Sequence, residues 1–112
     1  MAVTAKVLIA AKNAENAQTT QYTATGVTTI IDKFTATNYS AGVVTLSVNL
    51  VTSADTAGNQ NLIVKTKSLQ AGETYTFPEI VGQILDPGGF ISTVASAATS
   101  VNIRAAGREV TS

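Results

Sequence analysis

The sequence contains no cysteine and no histidine. The missing cysteines exclude a disulfide framework, a thiolate metal site and a cysteine nucleophile. Histidine is the side chain that most often carries acid–base catalysis near neutral pH, and it is a common transition-metal ligand. Acid–base chemistry is therefore left to seven carboxylates, which are Glu15, Asp32, Asp55, Glu73, Glu79, Asp86 and Glu109.

A pair of carboxylates is enough for a glycosidase, but such an enzyme also needs a cleft around its substrate. A chain of 112 residues offers little room for one. We therefore expect a protein that is not an enzyme and that has no catalytic residue, no metal and no cofactor. Carboxylates at strand ends and in turns explain the seven acidic residues more simply.

Charge is also scarce, because charged residues make up 12% of the chain and seven basic side chains balance seven acidic ones. With a net charge of zero, the chain lacks the excess of basic residues that binders of nucleic acid or anionic membranes carry. The apolar patch 7–9 is too short for a secretory signal or a membrane span. We expect a single domain, 1–112, that folds in the cytoplasm of the cell that makes it, with no nucleic-acid and no membrane partner.

Threonine, valine and isoleucine dominate the middle of the sequence and favour strands over helices. Apolar and polar side chains alternate along the clearest strand, 42–51, which predicts one buried face. Its apolar positions are Val44, Leu46, Val48 and Leu50. Another strand, 28–37, alternates in the same way, with Ile30, Phe34 and Ala36 on one face and Asp32 as the one misfit on that face.

Six further segments have strand character and are separated by turn residues; they are 4–9, 19–25, 61–67, 73–77, 90–97 and 100–106. Pro78 ends the strand before it, and 79–85 is predicted to form one or two helical turns with Ile80, Ile84 and Leu85 facing the core. Residues 1–17 are either a first strand or an N-terminal arm that pairs with the sheet edge of a neighbouring subunit. Seven or eight short strands describe an all-β fold, an antiparallel β-sandwich of immunoglobulin-like or jelly-roll-like type.

Two polar motifs look like ligand sites. Residues 86–89, Asp-Pro-Gly-Gly, have the glycines of a phosphate loop but lack the Lys and Ser or Thr that should follow, so a turn is predicted. Asp55, Asn59 and Asn61 have the oxygen-rich spacing of a calcium loop, but the full loop pattern with its terminal Glu is not met. An ordinary polar connection between strands is the prediction for this segment.

Arginines and aromatic residues are few. Arg104 and Arg108 are predicted either to decorate an exposed face or to form an ion pair at an interface. Tyr22, Tyr39 and Tyr75 are too dispersed for a platform on which sugars or bases stack. Packing in the core or at sheet edges is the expected role of these tyrosines.

Six phrases spread over residues 18–110 stand out as a set. They are 18–24 (QTTQYTA), 28–38 (TTIIDKFTATN), 71–75 (AGETY), 81–85 (VGQIL), 87–92 (PGGFIS) and 106–110 (AGREV). Together they resemble small virion structural proteins of tailed bacteriophages, of the head-decoration or head–tail accessory type. The resemblance implies assembly by repeated protein–protein contact and carries over no catalytic residue.

The resemblance does not settle whether the protein sits on the head, the neck or the tail. The leading hypothesis is a capsid decoration, or cement, protein that binds the assembled phage head and stabilises it by mass action. The partners would be the major capsid protein or neck and tail proteins, and further copies of the chain in a cyclic homo-oligomer such as a trimer. The protein would be made in the host bacterial cytoplasm and located in the virion. Two alternatives stay open: a neck or tail adaptor of the virion, and a carbohydrate- or receptor-binding β-sandwich module.

Overall fold

The computed structural model describes residues 2–111 and arranges them in two antiparallel β-sheets. Nine strands are present in this range: β1 (Ala2–Asn13), β2 (Thr19–Thr23), β3 (Thr28–Asn38), β4 (Val44–Val51), β5 (Leu62–Leu69), β6 (Thr74–Tyr75), β7 (Ile84–Leu85), β8 (Phe90–Ala95) and β9 (Val101–Thr111). Sheet A has the order β1-β9-β3-β6, with β7 also paired to β3, and sheet B has the order β2-β8-β4-β5. The predicted all-β antiparallel sandwich is confirmed.

The core lies between the two sheets. Phe34 and Ile103 of sheet A and Leu46 and Ile91 of sheet B are fully buried there. Phe77 closes one side and packs edge-on against Phe34, with 5.0 Å between the ring centroids. Burial of an aliphatic or aromatic side chain of this size contributes about 1.5–3 kcal/mol, so these side chains are a main source of stability.

Ile30 is not fully buried as predicted, because β3 contains a β-bulge. The register between β3 and β9 shifts between Ile31 and Lys33, at the Asp32 position that broke the alternation in the sequence. A bulge adds one residue to one strand and changes which side chains face the core. Ile31 and Phe34 are therefore the buried residues on either side of it, whereas Ile30 is only half-buried.

The N-terminal residues complete their own sheet. β1 pairs antiparallel with β9 of the same chain from Ala2 opposite Thr111 to Asn13 opposite Asn102. Leu8 and Ile9 are buried, and the strand has register shifts after Val7 and after Ile9. Of the two predictions for 1–17, the described part of this segment therefore forms a first strand.

Turns and a short strand replace the helical turns predicted for 79–85. The backbone N–H of Ile80 donates to the Phe77 carbonyl at 3.0 Å, and the segment then runs alongside β3, where the N–H of Gly82 donates to the Ile31 carbonyl at 2.7 Å. Pairing with β3 satisfies the backbone groups that a helix would satisfy internally. Ile80 and Leu85 are buried as predicted, but Ile84 is 59% exposed, so its predicted place in the core was wrong.

The chain between 2 and 111 has one helical turn, a 3₁₀ helix at Asn59–Asn61 in the loop before β5. In that range, no helix has the length and apolar character needed to span a lipid bilayer.

Candidate functional site

The seven carboxylates are spread over the sandwich, and six of them accept hydrogen bonds from separate partners. Those pairs are Glu15 with Lys12, Asp32 with Arg108, Asp55 with Thr56, Glu73 with Gln70, Glu79 with Tyr75, and Glu109 with Tyr22. Among the described residues, no three acidic side chains converge as they would around a metal ion. The structure therefore does not bring three or more of these described carboxylates into one site.

The oxygen atoms of the loop around Asp55 are engaged by N–H groups of the chain itself. Asp55 accepts the backbone N–H of Thr56 at 2.8 Å, which lowers the pKa of its carboxyl group. The side-chain oxygen of Asn61 accepts the amide of Asn49 at 2.8 Å and the backbone N–H of Gly58 at 3.1 Å. These contacts fold the loop onto β4 and do not form an arrangement of free oxygens.

Residues 86–89 form the turn that the sequence predicts. The N–H of Gly89 donates to the Asp86 carbonyl at 2.8 Å, and Gly88 has a φ of +88°, which glycine adopts without strain. The same turn is held by Ala24, whose N–H donates to Gly89 and whose carbonyl accepts from Gly88. The N–H groups of Gly88 and Gly89 therefore bond to carbonyls of the chain itself, at Ala24 and Asp86.

The tyrosines lie apart, and each hydroxyl has a partner. Tyr22 is buried and contacts both Thr29 and Glu109; burial, with the hydrogen bond to Glu109, raises its pKa to about 12. Tyr39 donates to Asn13 at 2.8 Å, and Tyr75 donates to Glu79 at 2.7 Å. The structure does not assemble the tyrosines into one stacking surface.

The register of sheet A assigns its side chains to two faces, because directly opposite residues of paired strands point to the same side. Thr29, Ile31 and Leu85 are buried and define the inner face. The alternate rows lie on the outer face: Val3 opposite Val110, Ala5 opposite Arg108, Val7 opposite Ala106, and Ile30 opposite both Arg108 and Ile84. The exposed Lys33 lies on the same face, opposite Ala106.

This outer face is apolar over much of its area, whereas the solvent side of an antiparallel sheet is usually polar. Val3 is 57% exposed, Val7 44% and Ile84 59%. We call the apolar set the outer patch; its members are Val3, Ala5, Val7, Ile30, Ile84, Ala106 and Val110. Several exposed apolar side chains on one face of a sheet are typical of protein–protein interaction sites.

The charge of Arg108, which lies between Ala5 and Ile30 on the outer face, is neutralised inside the chain. Arg108 donates to Asp32 through two nitrogens, at 3.0 and 2.9 Å, and this hydrogen-bonded pair lowers the pKa of Asp32. The ion pair predicted for an interface is therefore formed within one molecule for Arg108, while Arg104 is exposed opposite Thr35. A partner that covers the outer patch meets a paired charge, which costs less to bury than an isolated one.

Two hollows adjoin the outer patch. A shallow depression of about 400 Å³ is lined by Ala5, Val7 and Ala106 together with Lys6, Asp32 and Gly107. A narrower hollow of about 200 Å³ lies where the sheets meet, between Ile84 and Leu85 on one side and Leu50 and Ile63 on the other. The shallow depression is lined mainly by apolar surface and can accept small apolar side chains of a partner.

Comparisons with known proteins found no matching family model, no matching curated protein and no matching solved structure.

Sequence reasoning missed the outer patch because apolar alternation does not say which faces another sheet will cover. Ile30 and Ile84 were placed in the core on the strength of their side chains. The misfit at Asp32 was the available signal, since a bulge at that point moves Ile30 to the outer face. Val3 and Val7 alternate with Thr4 and Lys6, a pattern that fits either face.

Proposed function

We propose that this chain is a non-enzymatic structural protein of a tailed-phage virion, and that it binds the assembled head as a decoration, or cement, protein. The observation that carries the proposal is the outer patch, an exposed apolar surface on a rigid sheet with its central charge paired. The resemblance of the sequence phrases to virion structural proteins supplies the identity of the assembly. A neck or tail adaptor would use the same surface and would differ in where it sits on the particle.

The surface suits repeated binding for two physical reasons. Apart from Arg108 and Lys33, the side chains that face outward there are short or β-branched, so they lose little rotamer entropy when a partner covers them. The sheet that carries them is a paired ladder of β1, β9 and β3, so little backbone ordering accompanies binding. Little of the interaction free energy is therefore lost to the ordering of side chains and backbone.

Stabilisation of the head then follows from mass action alone. A protein that binds the assembled shell and not its free subunits stabilises the shell by about 2.7 kcal/mol per site when its concentration is about one hundred times the dissociation constant. In this proposal, binding to the head makes or breaks no covalent bond. The proteins covered by the outer patch would be capsid or neck and tail proteins of the same virion.

The experiment is co-sedimentation of the purified chain with phage heads from which accessory proteins have been stripped. Ile84→Asp places a charge on the outer patch, and Val43→Asp is the control, since Ile84 and Val43 are 59% and 57% exposed and Val43 lies outside the patch. We expect Ile84→Asp to weaken binding by about tenfold or more, because the new carboxylate must be desolvated in the interface, while Val43→Asp binds like the wild type. Equal binding by all three proteins, or equal loss in both variants, would contradict the proposal.

A further inference from the structure

The free edge of sheet A is formed by the first half of β1. β1 is the terminal strand of the sheet, so its side away from β9 presents unpaired backbone N–H and C=O groups. All six side chains from Ala2 to Val7 are exposed. Their register with β9 is continuous from Ala2 to Val7, and the first irregularity follows Val7. This edge is therefore a regular six-residue strand that is open to another strand.

Natural edge strands are usually protected by proline, by bulges or by charged side chains, lysine above all. The segment from Ala2 to Val7 contains no proline and a single charge, Lys6. Lys6 is drawn back onto its own sheet by Glu109, with 3.4 Å between Nζ and the nearest carboxylate oxygen. Where the backbone is regular, the usual protection is thus reduced to Lys6, and the bulges begin where the edge turns into the buried part of β1.

We infer that the segment Ala2–Val7 pairs with the same segment of a second copy of this chain, antiparallel and across a two-fold axis centred on Ala5. In such a pairing the sum of the opposed residue numbers must be even, because opposite residues share a face. Centring on Ala5 puts Val3 opposite Val7 of the second copy and Thr4 opposite its Lys6. Both valines lie on the outer face, and Thr4 and Lys6 both lie on the inner one.

Charge and packing select this register over its neighbours. Centring on Lys6 would place the two copies of Lys6 opposite each other, and like charges in that position are destabilising. Centring on Thr4 would pair Val3 with Ala5 and leave Val7 beyond the paired region. The Ala5 register avoids both problems and makes two Val–Val pairs. A second copy of the chain can therefore pair with this edge in that register.

The pairing joins two A sheets into one and makes their outer patches continuous. It deepens the proposed function by supplying the unit that would bind the head, although the pairing itself does not rest on that function. Its symmetry is two-fold, in contrast to the trimer expected from the sequence. A six-residue edge buries less than the roughly 1,200 Å² of a standard interface, so we expect reversible association of the free chain at high concentration.

The first test uses the absence of natural cysteine. Ala5→Cys places two thiols opposite each other across the axis, whereas Val3→Cys places them four residues, or about 13 Å, apart along the strands. We expect a bis-maleimide with a reach shorter than that distance to cross-link Ala5→Cys into a covalent dimer and to leave Val3→Cys monomeric. Cross-linking of Val3→Cys without Ala5→Cys, or of neither variant at concentrations where the wild type sediments as a dimer, would overturn the inference.

The second test separates association from folding by substitution at Thr4. Thr4 lies opposite Glu109 within the chain and opposite Lys6 of the second copy in the inferred dimer. Thr4→Lys should therefore raise the melting temperature of the dilute monomer but weaken the dimer about tenfold, because each dimer contains the Lys–Lys contact twice. Thr4→Glu should do the reverse in both measurements.

Sedimentation velocity over a concentration series measures the association, and thermal denaturation of dilute protein measures the fold. A chain that stays monomeric at every concentration, or that forms trimers, overturns the inference. So does a dimer whose stability follows that of the monomer in both Thr4 variants. Because these measurements use the purified chain alone, they separate a failed pairing from a failed proposal of head binding.

Discussion

Replacement of Gly107 by alanine tests the register of sheet A at a crowded point. Gly107 lies in β9 between Lys6 of β1 and Ile31 of β3. A Cβ atom on Gly107 would lie 2.1 Å from the Ile30 carbonyl oxygen and 3.0 Å from the Leu8 Cδ1 atom. Carbon–oxygen contacts in sheets are about 3.3 Å or longer, so alanine requires the two atoms to separate by about 1 Å.

The cost is considerable because the obstructing atom belongs to the backbone. The Ile30 carbonyl is part of a strand that pairs with β9 on one side and with β7 on the other, so it cannot move without disturbing two ladders. Overpacking of this kind costs about 1–3 kcal/mol out of a total stability of about 5–15 kcal/mol. For a domain of this size, that corresponds to a fall in melting temperature of about 4–12 °C.

Thermal denaturation followed by circular dichroism measures this effect, with Gly42→Ala as the matched control. A Cβ atom on Gly42 meets nothing within 4 Å, and the Gly42 φ lies outside the left-handed region. Alanine there is expected to leave the melting temperature unchanged or to raise it slightly, by restricting the unfolded chain. A Gly107→Ala protein that melts at the wild-type temperature would refute the register of β3 and β9 and, with it, the composition of the outer patch.

Three further predictions concern the core and two titrating groups. Leu46→Asp buries an unpaired charge and should abolish cooperative melting, and a native-like melting curve would show that β4 is assigned wrongly. Tyr22→Phe breaks the buried hydroxyl contact with Thr29 and should cost about 1–3 kcal/mol in urea titration. The pKa of Tyr22 rises from 10.0 to about 12 on folding, so the wild type should lose stability as pH rises between these values. Tyr22→Phe should lose less stability over the same pH range. Equal losses in both proteins would contradict the buried position of the Tyr22 hydroxyl. Arg108 lowers the pKa of Asp32, so their pairing should stabilise the fold above the ordinary carboxyl pKa, and this stabilisation should be lost as pH falls through the lowered value. In that pH window the melting temperature of Asp32→Asn should depend less on pH than that of the wild type. An equal pH dependence in both proteins would contradict the pair.

Strict alternation made β4 and β9 predictable from the sequence. Val101, Ile103 and Ala105 are buried as expected, and so is Leu46. Both strands pair on two sides, which sets the face of each side chain. In β4 the burial is not one-sided, because Ser47 and Asn49 are buried too and Leu50 is only half-buried. The sequence did not indicate that β9 continues to Thr111, because that extension depends on pairing with β1 and β3 and not on local pattern.

The candidate site was less predictable, for a physical reason that Ile84 illustrates. An isoleucine next to a buried leucine is read as core, but the two-residue strand β7 turns alternate side chains to opposite faces. Leu85 faces the second sheet and Ile84 does not. Which face is covered depends on the arrangement of whole sheets, and so does the position of the free edge at Ala2–Val7.

The central claim is that the chain acts as a part of an assembled virion. The most direct measurement is quantitative mass spectrometry of phage particles purified by density gradient from the cells that make this protein. We predict that its peptides co-purify with the particles in a fixed ratio to the major capsid protein. We also predict that the heads of particles made without it disassemble at a lower temperature or pressure than those of complete particles. Recovery of the chain only in the particle-free fraction would contradict the account.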